Sequence, residues 1–210
     1  MDPLSGLTLA APAGVNAYIP LLAVALAERF GWLSLRSPFD QMGSWWFIVL
    51  VAVLLLVELV ADKVPVVDHA NDVIQTFVRP AAGGLLAVAS SHQGGIQPWL
   101  LLIAGVLVAG GVHAVKAAAR PVVNVSTGGA GAPVVSTIED IGALGISVLA
   151  LLVPILAFLL VVGAIAFAMW SVWRWRRRRA AKRGDSNGSA IAGHDLAGPG
   201  DSKGPDAGVP

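Results

Sequence analysis

Trp45-Trp-Phe-Ile-Val-Leu-Val-Ala-Val-Leu-Leu-Leu-Val-Glu-Leu-Val-Ala61 has one ionisable side chain, Glu58, a turn before its end. Such a stretch has no polar face to turn toward water. It reads as a helix in hydrocarbon, where about twenty residues cross a core of roughly 30 Å. Residues 4–27 before it and 141–172 after it have the same character, and the latter is long enough to tilt or bend at Pro154. Residues 99–112 are too few unless the helix extends through His113 to Lys116. Residues 80–90 hold half a span, between Arg79 and Ser90-Ser-His-Gln-Gly-Gly95. They either cross by recruiting residues 72–78 as first turns or turn back as a re-entrant hairpin, and we read them as crossing. Pro12, Pro20, Pro80 and Pro154 inside these windows predict broken helices, which neighbouring helices can tolerate by satisfying the freed carbonyls.

Composition agrees. Of 210 residues 56% are apolar and 13% charged, with a mean hydropathy of +0.74, where a soluble domain carries about a quarter charged residues. The 24 Gly and 13 Pro exclude an ordinary soluble helical bundle. The absence of Cys removes disulfides, thiolate metal sites, cysteine nucleophiles and palmitoyl anchors together. The expected fold is an all-α polytopic membrane protein with spans near 4–28, 45–63, 72–91, 98–118 and 138–173, a domain of residues 1–179, and a disordered tail over 180–210.

Orientation follows from Trp170-Ser-Val-Trp-Arg-Trp-Arg-Arg-Arg-Arg179: aromatic anchors, then cations that stay cytoplasmic. This places the chain in the plasma (cytoplasmic) membrane with its carboxyl end inside, its first residues outside for five crossings, or both ends inside for four. Asp2 and the lack of a basic residue before Arg29 argue against a cleaved signal peptide. The bilayer is the expected partner, with anionic lipid at the basic segment and no nucleic acid. Gly105, Ala109, Gly110, Gly111 and Gly142-x-x-Gly145 permit close helix contact, within one chain or in a homo-oligomer.

Aligning Trp46 with Trp99 brings Lys63 onto Lys116, and soon after Pro65-Val-Val-Asp68 faces Pro121-Val-Val-Asn124. Val73-Ile-Gln-Thr76 faces Val134-Val-Ser-Thr137, and Ala11-Pro-Ala-Gly14 faces Arg79-Pro-Ala-Ala-Gly83. We read a tandem internal repeat, each unit a broken helix, a smooth helix and a polar connector, followed by a fifth helix. The run Ala11-Pro-Ala-Gly-Val-Asn-Ala-Tyr-Ile-Pro20, with Ala61-Asp-Lys-Val-Pro-Val-Val-Asp68, Asn71-Asp72, Arg79-Pro80 and Arg120-Pro-Val-Val-Asn124, resembles the bacterial membrane-protein family called domain of unknown function 4126 over residues 4–167. The resemblance implies a multi-span membrane protein and assigns no activity.

Ionisable side chains at a helix centre cost about 2.5–3.5 kcal/mol on insertion scales, so those near the spans need partners or water. Glu58 and Asp62 share one helical face; Asp68, Asp72, Thr76 and Arg79 form a second stripe; His113, Lys116 and Arg120 form a third. With Asn16, Lys63, Asn71 and Asn124 they are the candidate pathway for a small solute or ion. The alternative role for the belt is structural: Lys63 and Lys116 snorkel, Asp72 pairs with Arg79, and Asn16 and Tyr18 bond a neighbouring helix. The chain is then a membrane scaffold or partner subunit. An intramembrane enzyme acting on lipid headgroups is a third reading, disfavoured because no Gly-x-Ser-x-Gly or His-Glu-x-x-His motif occurs and the four His are scattered. No cofactor is expected. Ser126-Thr-Gly-Gly-Ala-Gly131 reads as a connector, and Asp68-His-Ala-Asn-Asp72 falls short of a cation cage without Glu58 or Asp62.

Overall fold

A computed structural model describes residues 3–62, 65–91, 96–128, 131–154, 156–167, 169–171, 173, 174 and 177, with side chains for all of these except 3, 65–70, 72, 124 and 132. The described residues are helices and loops, without strands. The chain divides into two units, Met1–Val162 and Gly163–Pro210. In the first, the helices are α1 (Pro3–Val15), α2 (Tyr18–Arg29), α3 (Trp45–Ala61), α4 (Pro65–Ala89), α5 (Pro98–Thr127) and α6 (Ala132–Leu152), with a 3-10 turn at Phe39–Gly43. In the second, Arg174 lies over Trp170 at 5.1 Å and Arg177 over Trp173 at 3.7 Å.

Among the described residues two helices are long and apolar enough to cross a membrane, Pro98–Thr127 and Pro133–Leu152. Leu4–Val15, Trp45–Ala61, Val73–Ala89 and Leu156–Ser171 are apolar but shorter. Pro80 sits inside α4 without interrupting it, so the segment around it is a through-helix and not a hairpin. The segment 120–124, expected as a connector, is instead helical and carries α5 to Thr127. α6 stops at Val153, where Pro154 lacks the N–H that would continue the ladder.

The first apolar window departs most from expectation. It is two short helices, about 20 and 18 Å long at 1.5 Å per residue, that double back on each other. Their outer ends lie together. Gly6 of α1 lies against the Ala87 carbonyl in the last turn of α4. Beyond α2 the chain folds back, with Trp32 and Leu33 N–H donating to the Ala27 carbonyl, and Arg36 N–H then donates to Ala89 O of that same last turn at 3.1 Å. The start of α1 and the end of α2 therefore meet at one end of the bundle, and the 4–28 window is a hairpin in place of the expected single span. Residues 30–44 and the start of α5 are at this end too, because Arg29 stacks over Trp45 and Leu102 of α5 borders Gly84 of α4.

The hairpin is held by close packing. α1 runs antiparallel to α4 and parallel to α5, and these three form the tightest part of the molecule. Gly14 of α1 and Gly83 of α4 both abut Ala109 of α5, and a Cβ at Gly105 would lie 2.5 Å from the Gly83 carbonyl oxygen. Only glycine permits that approach of backbones. α2 lies outside this group, against α3 and α6, along a crevice lined by Ile19, Leu22, Leu55, Leu59 and Leu144. α3 and α5 run the same way, in keeping with the Trp46 and Trp99 alignment. The aligned Pro/Gly segments do not, since α1 and α4 are antiparallel; the repeat is not shared at that level.

Of the small residues singled out, Gly105 and Ala109 are used inside the chain, while Gly111, Gly142 and Gly145 have open space where a Cβ would go. Gly105→Leu should cost about 1–3 kcal/mol or more by overpacking and lower the Tm of detergent-solubilised protein by several degrees, whereas Gly111→Leu should not lower it. Equal loss in both variants would contradict the α4–α5 contact.

Candidate functional site

The hairpin turn has to satisfy the backbone groups that a helix break exposes. Asn16 does most of this. Its Oδ1 accepts from the N–H groups of Tyr18 and Ile19, at 3.1 and 3.2 Å, which are first-turn donors of α2. Its Nδ2 donates to Asp140 Oδ1 of α6 at 3.0 Å. On the other side of the break, Lys116 Nζ of α5 donates to the Val15 carbonyl at 3.0 Å, placing a cation at the carboxyl end of α1 where the helix dipole favours one. The same ammonium pairs with Glu139 Oε2 of α6 at 2.9 Å.

Beside this turn lies a fully buried ion pair. Arg79 Nη2 of α4 donates to Glu58 Oε1 of α3 at 2.8 Å, with the side chains 0% and 1% exposed. Arg79 Nη1 lies 3.0 Å from His113 Nδ1 of α5. A guanidinium only donates, so Nδ1 is the accepting nitrogen and the ring carries its hydrogen on Nε2, 3.3 Å from Thr76 Oγ1. The imidazole is neutral in this arrangement. A third cluster forms where α3 ends: Asp62 accepts from Asn71 Nδ2 at 3.2 Å, from Ser136 Oγ at 3.2 Å and from Arg120 Nη2 at 3.4 Å. Asp62 thereby ties α3, α4, α5 and α6 together. Pairing of this kind is what makes buried charge tolerable, since an isolated ion away from water is far costlier.

The family described as domain of unknown function (DUF4126) matches residues 4–174. The chain belongs to this family. No curated protein and no solved structure matches it. The chemistry of this DUF4126 chain therefore has to be argued from its own side chains.

Of the expected belt, the DUF4126 fold brings Glu58, Arg79 and His113 into one hydrogen-bonded line, and Asp62, Asn71 and Arg120 into another. Asn16 and Lys116 meet at the hairpin turn. Lys63 lies outside the described residues, as do the side chains of Asp68, Asp72 and Asn124. Arg79 has Glu58 of α3 as a salt-bridge partner; the expected pairing with Asp72 rests on a side chain outside the described residues. Among the described residues no three His, Asp or Glu side chains gather as metal ligands.

Four polar residues escaped the sequence reading: Gln75, Ser136, Glu139 and Asp140, of which only Glu139 is not buried. Ser136 lies ahead of the expected 138–173 span, and Glu139 and Asp140 sit in its first turn, just before the apolar run that begins at Ile141. Their spacing was the available signal, because Ser136, Glu139 and Asp140 fall on adjoining positions of one helix face.

Arg79→Met leaves Glu58 as an uncompensated buried charge and should destabilise the protein by about 3–5 kcal/mol, whereas Glu58→Leu with Arg79→Met should recover most of that loss. Thermal unfolding of the single and double variants checks this. Additive losses would mean that the two side chains do not interact.

Proposed function

We propose that this chain is an integral membrane protein that carries a small solute or ion past the turn of its helical hairpin. What supports a membrane reading is the inverted partition of side chains. Trp46, Leu50, Val53, Leu56 and Val60 of α3 face outward, with Trp99, Ile103 and Leu107 of α5 and Ile141, Leu144 and Val148 of α6. Inside are Glu58, Asp62, Arg79, His113, Lys116 and Asp140. In water this arrangement would expose an apolar belt far beyond what a soluble monomer shows. In a bilayer, hydrocarbon takes the outward side chains, and the charges sit among one another.

In this reading α3, α4, α5 and α6 cross and the α1–α2 pair is re-entrant. The end that gathers the start of α1, Arg29 and Arg36 is cytoplasmic, by those two arginines and by the Arg174–Arg183 block that follows the last apolar segment. Trp32, Trp45, Trp46 and Trp99 then lie at the inner interface. The protein belongs in the cytoplasmic membrane, its basic segment against anionic lipid.

The observation that carries a transport role is the interrupted helix. Breaks of this kind at membrane depth occur where irregular backbone is buried in protein or lines a cavity, and in transporters half-helix ends bind the solute. Here the break lies beside an ion pair and a neutral histidine, and among the described residues the Asn16 and Lys116 side chains close it.

Reporter fusions ahead of α1, within residues 92–95 and after Arg183 should all read cytoplasmic, and insertions at 63–64 or 129–130 external. An external signal ahead of α1 would contradict the re-entrant hairpin. In proteoliposomes the purified protein should pass a solute or ion, and Asn16→Ala or Lys116→Gln should cut that flux about tenfold while the protein stays folded, as expected when about 1.4 kcal/mol of interaction is lost at the site. A folded protein that passes nothing in a screen of cations, anions and small neutral solutes would leave the scaffold role.

A further inference from the structure

Three buried polar atoms beside the hairpin turn meet no hydrogen-bond partner among the described residues: Glu58 Oε2, Gln75 Oε1 and Arg79 Nε. Their residues are no more than 1% exposed. Gln75 and Arg79 lie one turn apart on the same face of α4, and Arg79 reaches Glu58 directly. Tyr18, on the first turn of α2, lies beside Gln75 and within range of both charges of the pair. Tyr18 is only partly buried, so the cluster sits just behind the hairpin turn.

An unsatisfied buried polar atom costs about 1–3 kcal/mol, and three in one place are a strong demand for a ligand. The chemistry of the three atoms says which kind. Glu58 Oε2 and Gln75 Oε1 accept, while Arg79 Nε donates. Because Glu58 and Arg79 already neutralise each other, a bare cation here faces the guanidinium and a bare anion faces the carboxylate. The complement is a neutral molecule with two donor hydrogens and one acceptor oxygen. A primary carboxamide has that set: its NH2 group serves the two acceptors and its carbonyl oxygen takes the Arg79 hydrogen. Urea offers the same carbonyl and NH2 group, with a second NH2 in place of the carbon substituent.

We propose that Glu58, Gln75 and Arg79, bordered by Tyr18, form the solute site, and that the solute class is urea and short primary carboxamides. This rests on the transport reading above and narrows it. The full-length protein in liposomes should take up radiolabelled urea and acetamide about tenfold faster than protein-free vesicles. Unlabelled acetamide should compete with urea, and tetramethylurea, which keeps the carbonyl but has no N–H, should not. Gln75→Leu should slow urea uptake about tenfold, the scale expected when one hydrogen bond to the solute is lost.

The outcomes separate the two claims. Flux of Na+, K+ or Cl− without amide uptake overturns this inference and leaves transport standing, as does water permeation alone. Equal competition by tetramethylurea and acetamide overturns it too, because the donor hydrogens would then not be read. No flux of any probe removes both claims. If Gln75→Leu does not fold, the competition result decides by itself.

Discussion

Everything else in this molecule is arranged around a helix that stops at Val15 and restarts at Tyr18. A break in a helix exposes carbonyls at one end and N–H groups at the other, and in a medium without water each must find a partner within the protein. Asn16 supplies one part locally, through its own side chain. The rest comes from far along the chain, from Lys116 of α5 and Asp140 of α6. That dependence explains why α5 and α6 carry charges at mid-length. It also explains why α1 is packed so tightly: Gly14 and Gly83 both against Ala109, with Gly83 also against Ala10 of α1, bring the turn within reach of the lysine.

The ion pair one layer away obeys the same constraint at higher stakes. Glu58 and Arg79 are among the most deeply buried side chains, and their direct contact leaves one carboxylate oxygen and one guanidinium nitrogen unused. A purely structural pair is stabilised when its remaining valences are filled by neighbours, as those of Asp62 are by Asn71, Ser136 and Arg120. The contrast between the two carboxylates separates them by role. Asp62 joins four helices and reads as structural; Glu58 is held from one side only.

What was legible in the sequence follows from what periodicity and composition can carry. Trp45–Ala61 and the long apolar stretch in α5 declare helices because nothing in them suits water or a turn. The continuity of α4 through Pro80 was recoverable, since the polar residues 72–78 complete the helix that 80–90 alone could not make. The hairpin was not. Residues 4–28 have the same hydropathy whether the chain crosses or returns, and its direction is set by glycine contacts to α4 and α5 that no local pattern contains. The one local trace was Asn16, an uncharged polar residue set between Gly14 and Pro20. The site was half legible for a similar reason: Glu58, Arg79, His113 and Lys116 stand out as ions in apolar surroundings, while the pairing of Arg79 with Glu58, on another helix, is made by tertiary packing. Asp140 and Glu139 were hidden by their place at the edge of an apolar run.

The central claim is that the first apolar segment returns to the end of the bundle it came from. The chain has no cysteine, so a pair can be introduced at Leu7 and Arg36 and spin-labelled without a background. Pulsed electron-spin distance measurement in lipid should give a separation below about 20 Å, because both positions flank the last turn of α4, where one helical turn rises about 5.4 Å. A separation of roughly 30 Å or more, the thickness of the hydrocarbon core, would show that the segment crosses and would contradict the account.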